Sequence, residues 1–294
     1  HTGRSNQVVK RALFTRKVGG NDSFFRNEIL DLGGRRVGYL RLYSFVPDNL
    51  FLAIVALERV LRDFEASACS GLIVDIRNNP GGAIVLAEQL LGLLTPRPVI
   101  TRFSLLATSL TRQLCDTSFE LQRWSKSLRS AATTGDAFSA ALTITDPAII
   151  PAPVTDLPAV LITDATTYSS GDLFAAGWED NGIGPIIATA PTTGAGGANV
   201  WTLSQLSSRL PPAEAAALRL PSGLDLRLSV RRALRAGESD SLPIEDLGVR
   251  PTRTYFLRPE DVLGDNEGLL AAAARLLRRG RRTVKGGGGQ AVRP

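Results

Sequence analysis

Two adjacent serines, Ser169 and Ser170, lie where the sequence changes from one type of segment to another. Before them, the apolar run 159–162 is typical of a buried strand, and after them residues 173–178 have the pattern of a helix. A sharp turn between a strand and a helix can hold a serine hydroxyl at the mouth of a pocket, where the helix N-terminus stabilises negative charge. The segment therefore makes Ser169 a candidate nucleophile.

A second segment with chemical potential is GLIVDIRNNPGG, residues 71–82. Its first six residues are almost wholly apolar, as in a strand that is covered on both faces. Pro80 then forces a turn, and Gly81 and Gly82 leave the backbone bare before the helical run 83–94. Main-chain N–H groups in such a turn can bind an anionic oxygen, as an oxyanion hole does in acyl transfer. Taken alone, the two glycines fit equally well a turn that needs glycine for tight packing.

These segments belong to a chain in which predicted strands and helices alternate. The amphipathic pattern at 48–67 predicts a helix with Asp48 as its N-cap. Further strands are predicted at 36–43, 96–103, 184–189 and 223–234, and further helices at 117–131 and 266–277. The order predicts an α/β fold with a mainly parallel sheet, in which sites form at the carboxyl ends of the strands.

The composition is that of an ordinary globular protein of one large or two modest domains, with 294 residues of which 44% are hydrophobic and 21% charged. No apolar run approaches the ~18 residues that span a bilayer, and no signal peptide opens the chain, so we expect no membrane span and predict no compartment. Cys69 and Cys115 are too few for a disulfide framework and lack metal-site spacing. We expect them to be buried or free thiols, and we expect neither a metal nor another cofactor.

The chain is basic, with a formal net charge of +6, but the charge is unevenly placed. From Arg275 onward there are seven basic residues and no acidic ones, which leaves 27 basic and 28 acidic residues in the rest of the chain. Because the body is about neutral, the pattern argues against nucleic-acid binding. Residues 278–294 are predicted to be a basic, glycine-rich and disordered tail.

Five motifs resemble those of the serine peptidase family that contains the tail-specific, C-terminal-processing and tricorn-core proteases, and more closely its tricorn-like branch. They are VGYLRLYSF at 37–45, GLIVDIRNNPGG at 71–82, TTYSSGDLFAAG at 166–177, PTTGAGG at 191–197 and PIEDLGVRP at 243–251. The resemblance covers residues 36–277, the expected catalytic core, and leaves residues 1–35 as a lead-in. It implies a crotonase-like fold of stacked β-β-α units and a peptidase that acts on peptides or proteins.

The resemblance also implies roles for individual residues around the predicted serine turn. Ser169 matches the nucleophile, since SSGDLF fits the family's pattern at that place. Gly81 and Gly82 match the glycines of the oxyanion hole, and the N–H of Ser170 would be its second donor.

Two acidic residues match the family's site as well. Glu245 matches the acid that assists catalysis in the tricorn-like branch, and Asp172 matches an acidic residue beside the nucleophile. Each has a plainer interpretation, because Asp172 fits a charge in the first turn of a helix equally well and Glu245 fits a surface carboxylate.

The general base does not follow from these motifs. In the tail-specific branch a lysine in the glycine turn acts as base, but Ala195 stands at about that place, and the lysines of this chain lie outside the motifs. In the tricorn-like branch the base is a histidine from an earlier part of the chain, and the only histidine here is His1. The lysines are Lys10, Lys17, Lys126 and Lys285.

Three interpretations of the base stay open, since an unassisted serine hydroxyl is a poor nucleophile. The base lies on an upstream segment or a partner chain; a carboxylate of Glu245 or Asp172 acts as base; or the chain is an inactive binding module of the same fold for an apolar ligand or peptide. The first is favoured, because the motifs that would serve a histidine are kept and the chain begins with His1 instead of methionine. The sequence predicts neither the cleavage specificity nor the oligomeric state.

Overall fold

The computed structural model describes residues 11–12, 24–96, 98–198, 200–222 and 224–277. The predicted tail, 278–294, and most of the predicted lead-in therefore lie outside the described residues. The strands are β1 (Arg11–Ala12), β2 (Phe25–Asp31), β3 (Arg36–Leu42), β4 (Leu72–Asp75), β5 (Arg102–Leu105), β6 (Leu142–Thr143), β7 (Ala159–Thr163), β8 (Ile186–Ala188), β9 (Trp201–Thr202), β10 (Arg227–Leu228), β11 (Arg231–Leu234) and β12 (Arg253–Thr254). The α-helices are α1 (Leu50–Ala66), α2 (Ile84–Leu94), α3 (Ser109–Thr117), α4 (Ser125–Thr134), α5 (Ser170–Asp180), α6 (Leu203–Ser207), α7 (Pro212–Ala217), α8 (Pro259–Leu263) and α9 (Glu267–Leu277). Among these helices, none has the length and apolar character that crossing a membrane requires.

The centre of the fold is a seven-stranded sheet in the order β1-β2-β3-β4-β7-β8-β12. Strands β3, β4, β7, β8 and β12 run parallel to one another. At one edge, β2 is antiparallel to β3 and β1 is antiparallel to β2. Every residue of β4 and β7 is buried, which explains why both are apolar up to their last residues, Asp75 and Thr163. The predicted α/β fold with a mainly parallel sheet and flanking helices is confirmed.

Helices cover both faces of this sheet and so fix the positions of its strand ends. Helices α1, α2 and α5 pack on one face, and α9 packs on the other. Side chains alternate between the faces. Leu72 and Val74 of β4 therefore belong to the hydrophobic core beneath α1, α2 and α5, and Ile73 belongs to the core beneath α9. Each parallel connection crosses one face, as in β3-α1-β4 and β7-α5-β8.

A smaller antiparallel sheet, in the order β11-β5-β6, lies beside the main body. It is covered by Trp124, which is buried and donates its indole N–H to the Phe103 carbonyl at 2.9 Å. Strand β11 connects this sheet to the glycine turn at 192–197, because the Ala233 N–H donates to the Gly197 carbonyl at 2.8 Å.

Local boundaries differ from the predictions in three places. Helix α1 has Asn49, not Asp48, as its N-cap, because the Asn49 side chain accepts from the Leu52 N–H at 3.0 Å. The helix predicted at 117–131 is a 3-10 helix followed by α4, and the tighter turn places Leu121 and Trp124, three residues apart, in the core. Strand β5 lies farther along than the predicted strand at 96–103.

Candidate active site

Two turns meet at one edge of the main sheet, because β4 and β7 are neighbouring parallel strands. Direct hydrogen bonds join the turns: the Thr167 hydroxyl donates to the Ile76 carbonyl at 3.0 Å, and the Tyr168 N–H donates to the Asn79 carbonyl at 2.9 Å. We call residues 77–82, after β4, the Gly-Gly turn and residues 164–169, after β7, the serine turn. Their meeting at the carboxyl ends of the strands follows the general rule for open parallel sheets.

Ser169 ends the serine turn in a sparsely populated backbone conformation, with φ of 54° and ψ of −119°. It immediately precedes α5, and its carbonyl accepts from the Leu173 N–H at 3.1 Å. The side chain is partly exposed, and its hydroxyl makes no hydrogen bond to any other described residue.

Ser170 is held very differently from Ser169. It is fully buried, and its hydroxyl donates to the Gly82 carbonyl at 2.7 Å. That bond links the first residue of α5 to the Gly-Gly turn. Of the two adjacent hydroxyls, the one on Ser170 is therefore used in the fold, whereas the one on Ser169 makes no hydrogen bond within the described residues.

The Gly-Gly turn lies directly against the candidate nucleophile. A Cβ atom on Gly81 would be 2.6 Å from the Ser169 Cβ and 2.7 Å from the Ser170 nitrogen, and both glycines have positive φ, 97° at Gly81 and 142° at Gly82. Close approach of the two backbones and the left-handed conformation both require glycine here.

The N–H groups of this turn are not equivalent. The Gly81 N–H donates to the side-chain oxygen of Asn79 at 2.9 Å. Within the described residues, the N–H groups of Gly82 and Ser170 donate to no acceptor. Of the three donors predicted from the sequence, the N–H groups of Gly82 and Ser170 are therefore the two without an acceptor in this part of the chain, and Asn79 holds Gly81 in place.

Asp172 lies in the first turn of α5 and is fully buried. Its two oxygens accept from the backbone N–H groups of Ala195 at 3.0 Å and Gly196 at 2.9 Å. Burial raises the pKa of Asp172, and hydrogen bonds from Thr193, Gly196, Ala195 and the Ser169 backbone oppose the rise. Asp172 thus fastens the glycine turn at 192–197 to the start of α5, and it makes no hydrogen bond to the Ser169 hydroxyl.

Glu245 follows strand β11 and lies on the other side of the glycine turn. The turn contacts its backbone, since a Cβ atom on Gly197 would be 2.8 Å from the Glu245 nitrogen. The Asp246 N–H donates to the Ala195 carbonyl at 3.2 Å. One carboxylate oxygen of Glu245, Oε2, is buried and has no hydrogen-bond partner among the described residues. Glu245 is therefore a partly buried carboxylate whose hydrogen-bonding capacity is not filled by this part of the chain.

None of the basic candidates named from the sequence lies at the serine turn within the described residues. Lys126 is exposed on α4. His1, Lys10, Lys17 and Lys285 lie outside the described residues.

Sequence reasoning missed two residues that build the site. Asn79 is fully buried. Its side-chain oxygen accepts from the Gly81 N–H, and its amide group donates to the Leu42 carbonyl at 3.2 Å. The Asp164 carboxylate accepts from the backbone N–H groups of Asn78 at 3.0 Å and Thr167 at 2.8 Å, and so joins the two turns. An Asp that follows a strand, with two threonines two and three residues later, is a signal for such an Asx turn.

A buried ionic cluster supports the Gly-Gly turn from the sheet side. The Asp75 carboxylate, at the end of β4, is fully buried and accepts from Tyr39 at 2.9 Å, Arg41 at 3.0 Å and Arg77 at 2.7 Å. Burial and the Asp75 charge both raise the pKa of the Tyr39 phenol, so Tyr39 remains a neutral donor. The cluster fixes Arg77 at the first position of the turn.

Solved structures of low sequence identity share this fold. Mature CPAF in complex with lactacystin is 16% identical with a TM-score of 0.62, and the alignment covers 87% of this chain and 55% of that chain. The photosystem II D1 C-terminal processing protease is 19% identical with a TM-score of 0.50, covering 83% of this chain and 50% of that one. A lipoprotein from Streptococcus agalactiae is 12% identical with a TM-score of 0.51, covering 87% and 70%. The chain thus spans about 55% of the length of mature CPAF.

Among curated proteins, none matches the chain. A family model described as peptidase family S41 matches residues 36–252, which include the serine turn, the Gly-Gly turn and Glu245. The match does not separate the tail-specific from the tricorn-like branch. It confirms the family resemblance inferred from the five motifs, and the chain belongs to peptidase family S41.

Proposed function

We propose that this chain is a serine-type peptidase in which Ser169 attacks the carbonyl carbon of a peptide bond. The observation that carries the proposal is the partly exposed Ser169 hydroxyl, held at positive φ at the start of α5 with the Gly-Gly turn packed against it. Residues 36–277 are the unit that carries this chemistry, with 1–35 as a lead-in and 278–294 as a tail. The substrate is a peptide or protein.

In this proposal the N–H groups of Gly82 and Ser170 bind the oxyanion that forms when Ser169 attacks. Both lie beside the nucleophile without an acceptor in the described residues, and Ser170 is the first residue of α5. Its N–H therefore adds the positive end of the helix dipole to the site. Donors of this kind act on charge that develops in the transition state, and loss of one typically costs ~3–4 kcal/mol.

The proton of Ser169 needs an acceptor, and we propose that this acceptor is an imidazole from residues outside the described part of the chain or from a partner chain. Neither Asp172 nor Glu245 hydrogen-bonds the Ser169 hydroxyl, and Asp172 is occupied by backbone donors. Glu245 has a buried carboxylate oxygen without a partner in the described residues. That oxygen suits a second role, the acceptance of a ring N–H that orients the imidazole.

The reaction then has two halves. In the first, the base takes the Ser169 proton, the Ser169 oxygen bonds to the carbonyl carbon, the C–N bond breaks, and the base returns the proton to the leaving amine. In the second, the base takes a proton from water, the water oxygen bonds to the acyl carbon, the ester bond to Ser169 breaks, and the base returns the proton to the Ser169 oxygen as the new carboxylic acid leaves. Asp172 supports both halves of the reaction without touching the reacting atoms, because it positions the glycine turn between α5 and Glu245.

The test compares two serine variants in peptide hydrolysis, with free imidazole added to stand in for the base. Ser169→Ala is expected to abolish the imidazole-dependent rate. Ser170→Ala, the matched control, removes one buried hydrogen bond to Gly82 and is expected to keep measurable turnover. Equal activity of Ser169→Ala and the unaltered chain would place the nucleophile elsewhere. Absence of hydrolysis by every form, while an apolar ligand binds at the serine turn, would favour the inactive binding module.

A further inference from the structure

The Gly-Gly turn has a contact with the C-terminal helix that takes no part in the steps proposed above. The Arg77 side chain, at the first position of the turn, donates from Nη1 to the side-chain oxygen of Asn266 at 2.8 Å. Asn266 immediately precedes α9. Both Asn266 and α9 lie beyond residues 36–252, the part of the chain that the family model matches. The contact therefore joins the candidate site to a segment outside that match.

Asn266 stands where a side chain usually caps a helix. An asparagine just before a helix normally accepts from an N–H group of the first turn. Here that acceptor is Asp261 of α8, whose carboxylate accepts from the Leu269 N–H at 2.9 Å. Asp261 is buried, and the Tyr255 hydroxyl also donates to it, at 2.8 Å. Because Asp261 caps α9, the Asn266 side-chain oxygen accepts from Arg77 instead of from the helix.

The backbone before α9 has an uncommon conformation. Asp265 and Asn266 have φ values of 56° and 65°, in the left-handed region that few non-glycine residues adopt. The Asn266 N–H donates to the Asp261 carbonyl at 2.8 Å, and the Asn266 carbonyl accepts from the Leu270 N–H at 2.9 Å. Such conformations persist where the surrounding structure determines them, and they are frequent at functional sites. The two bonds hold Asn266 in the conformation from which its side chain reaches Arg77.

Helix α9 gives this contact a rigid support. Its buried residues Leu269 and Ala273 belong to one hydrophobic core with Ile73 of β4 and Ile162 of β7. Strands β4 and β7 lead into the two turns of the candidate site. The start of α9 is therefore fixed relative to the Gly-Gly turn.

Arg77 connects this support to the turn. Its guanidinium also donates to the buried Asp75 carboxylate, from Nη2 at 2.7 Å and from Nε at 3.0 Å. A polar cleft of about 370 Å³ borders the contact, and Arg77, Asn78 and residues 265–267 are among the residues that line it. Because a cleft borders these segments where a packed core would otherwise join them, hydrogen bonding holds the turn to α9 there.

We propose that Asn266 is a positioning residue for the Gly-Gly turn. It holds Arg77 and thereby sets the orientation of the turn whose Gly82 N–H is a proposed oxyanion donor. This assignment rests on the proposed peptidase function, because the turn acts on charge that develops in the transition state. Loss of the Asn266 side chain is therefore expected to lower kcat and to leave KM nearly unchanged.

The variants are chosen so that the fold survives. Asn266→Gly removes the acceptor without adding strain, since glycine adopts positive φ readily, and Asn266→Asp keeps an acceptor oxygen at the same place. Arg77 is left unaltered, because its loss would take a partner from the buried Asp75 carboxylate and destabilise the fold. Ala68→Gly is the matched control, because Ala68 is exposed after α1 and also has positive φ, 52°. Urea unfolding checks that each variant is folded.

The first measurement is hydrogen–deuterium exchange, which does not depend on Ser169 chemistry. The N–H groups of Gly81 and Ala83 donate to the Asn79 side chain at 2.9 Å and to the Phe45 carbonyl at 2.7 Å, so their exchange reports the order of the turn. Asn266→Gly is expected to speed their exchange at least about tenfold without changing that of β7, whereas Asn266→Asp and Ala68→Gly stay within about threefold of the unaltered chain. Unchanged exchange at Gly81 and Ala83 in Asn266→Gly would overturn the proposal.

The second measurement is peptide hydrolysis with free imidazole. Asn266→Gly is expected to lower kcat about tenfold with KM within about twofold, and Asn266→Asp is expected to recover most of kcat. Faster exchange of the turn with full kcat, or a raised KM with full kcat, would also overturn the proposal. If exchange becomes faster in Asn266→Gly but no form of the chain hydrolyses peptide, the proposed peptidase function fails and Asn266 remains the residue that holds the turn.

Discussion

Glu88 provides a quantitative test of the packing on which the site rests. It lies on α2, is 1% exposed, and neither of its side-chain oxygens has a hydrogen-bond partner in the described residues. Thr145 is the polar side chain that faces it, and the Thr145 hydroxyl lacks a partner as well. Burial raises the pKa of the Glu88 carboxyl from 4.5 to about 7. We predict that Glu88 destabilises the fold as the pH rises through this interval.

The sign and size follow from the difference between the folded and unfolded pKa values. Below about pH 4.5 Glu88 is protonated in both states, so it adds no pH dependence. Between 4.5 and about 7 the unfolded chain loses its proton first, and the free energy of unfolding falls. Each pKa unit corresponds to ~1.36 kcal/mol, so the loss is about 3 kcal/mol when the pH exceeds 7.

The assay is urea denaturation of the unaltered chain and of Glu88→Gln at intervals from pH 4.5 to 8. The difference in unfolding free energy between the two is expected to grow by about 3 kcal/mol over this range in favour of the glutamine variant. Glu238→Gln, a change at an exposed glutamate, is the control and is expected to follow the unaltered chain. Parallel curves for the unaltered chain and Glu88→Gln would mean that the pKa of Glu88 is the same in the folded and unfolded states.

Three further predictions concern the site. Gly81→Ala places a Cβ 2.6 Å from that of Ser169 and is expected to lower kcat at least about 100-fold, because it displaces the nucleophile. Gly34→Ala, with a similar positive φ but open space around it, should leave kcat unchanged. Equal effects of the two changes would mean that backbone strain alone matters. Asp172→Asn removes one acceptor from the glycine turn. It should lower the free energy of unfolding by ~1–3 kcal/mol and also lower kcat. A loss of stability with full kcat would mean that Asp172 has no role in positioning the site. The imidazole-dependent rate should rise as the pH passes through roughly 6–7, as the ring loses its proton, and a pH-independent rate would argue against an imidazole base.

The elements that carry the site could be predicted from the sequence because their signals are local. The apolar runs of β4 and β7, followed by glycine or by small hydroxyl residues, predict two strands that end in turns, and parallel pairing predicts that the turns meet. The partial exposure of Ser169 also follows from its place between β7 and α5. The N-cap of α1 is Asn49, one residue after the predicted Asp48. Both residues are good N-caps, and only the geometry decides between them.

The roles within the site could not be predicted in the same way, because they depend on contacts between distant segments. The sequence pattern predicts the same role for Gly81 and Gly82. In the structure, the Asn79 side chain accepts from the Gly81 N–H and not from the Gly82 N–H. Asp172 holds the glycine turn by hydrogen bonds only because the backbone of residues 195–196 lies against the start of α5.

The most direct test of the central claim is covalent labelling with a fluorophosphonate, followed by mass-spectrometric mapping of the modified residue. The probe reacts with an activated serine hydroxyl, and the reaction is run with free imidazole to supply the base. If Ser169 is the nucleophile, a single label is expected on Ser169 that persists in Ser170→Ala and disappears in Ser169→Ala. A label on Ser170 or another serine, or no label on Ser169 under these conditions, would show that Ser169 is not an activated nucleophile.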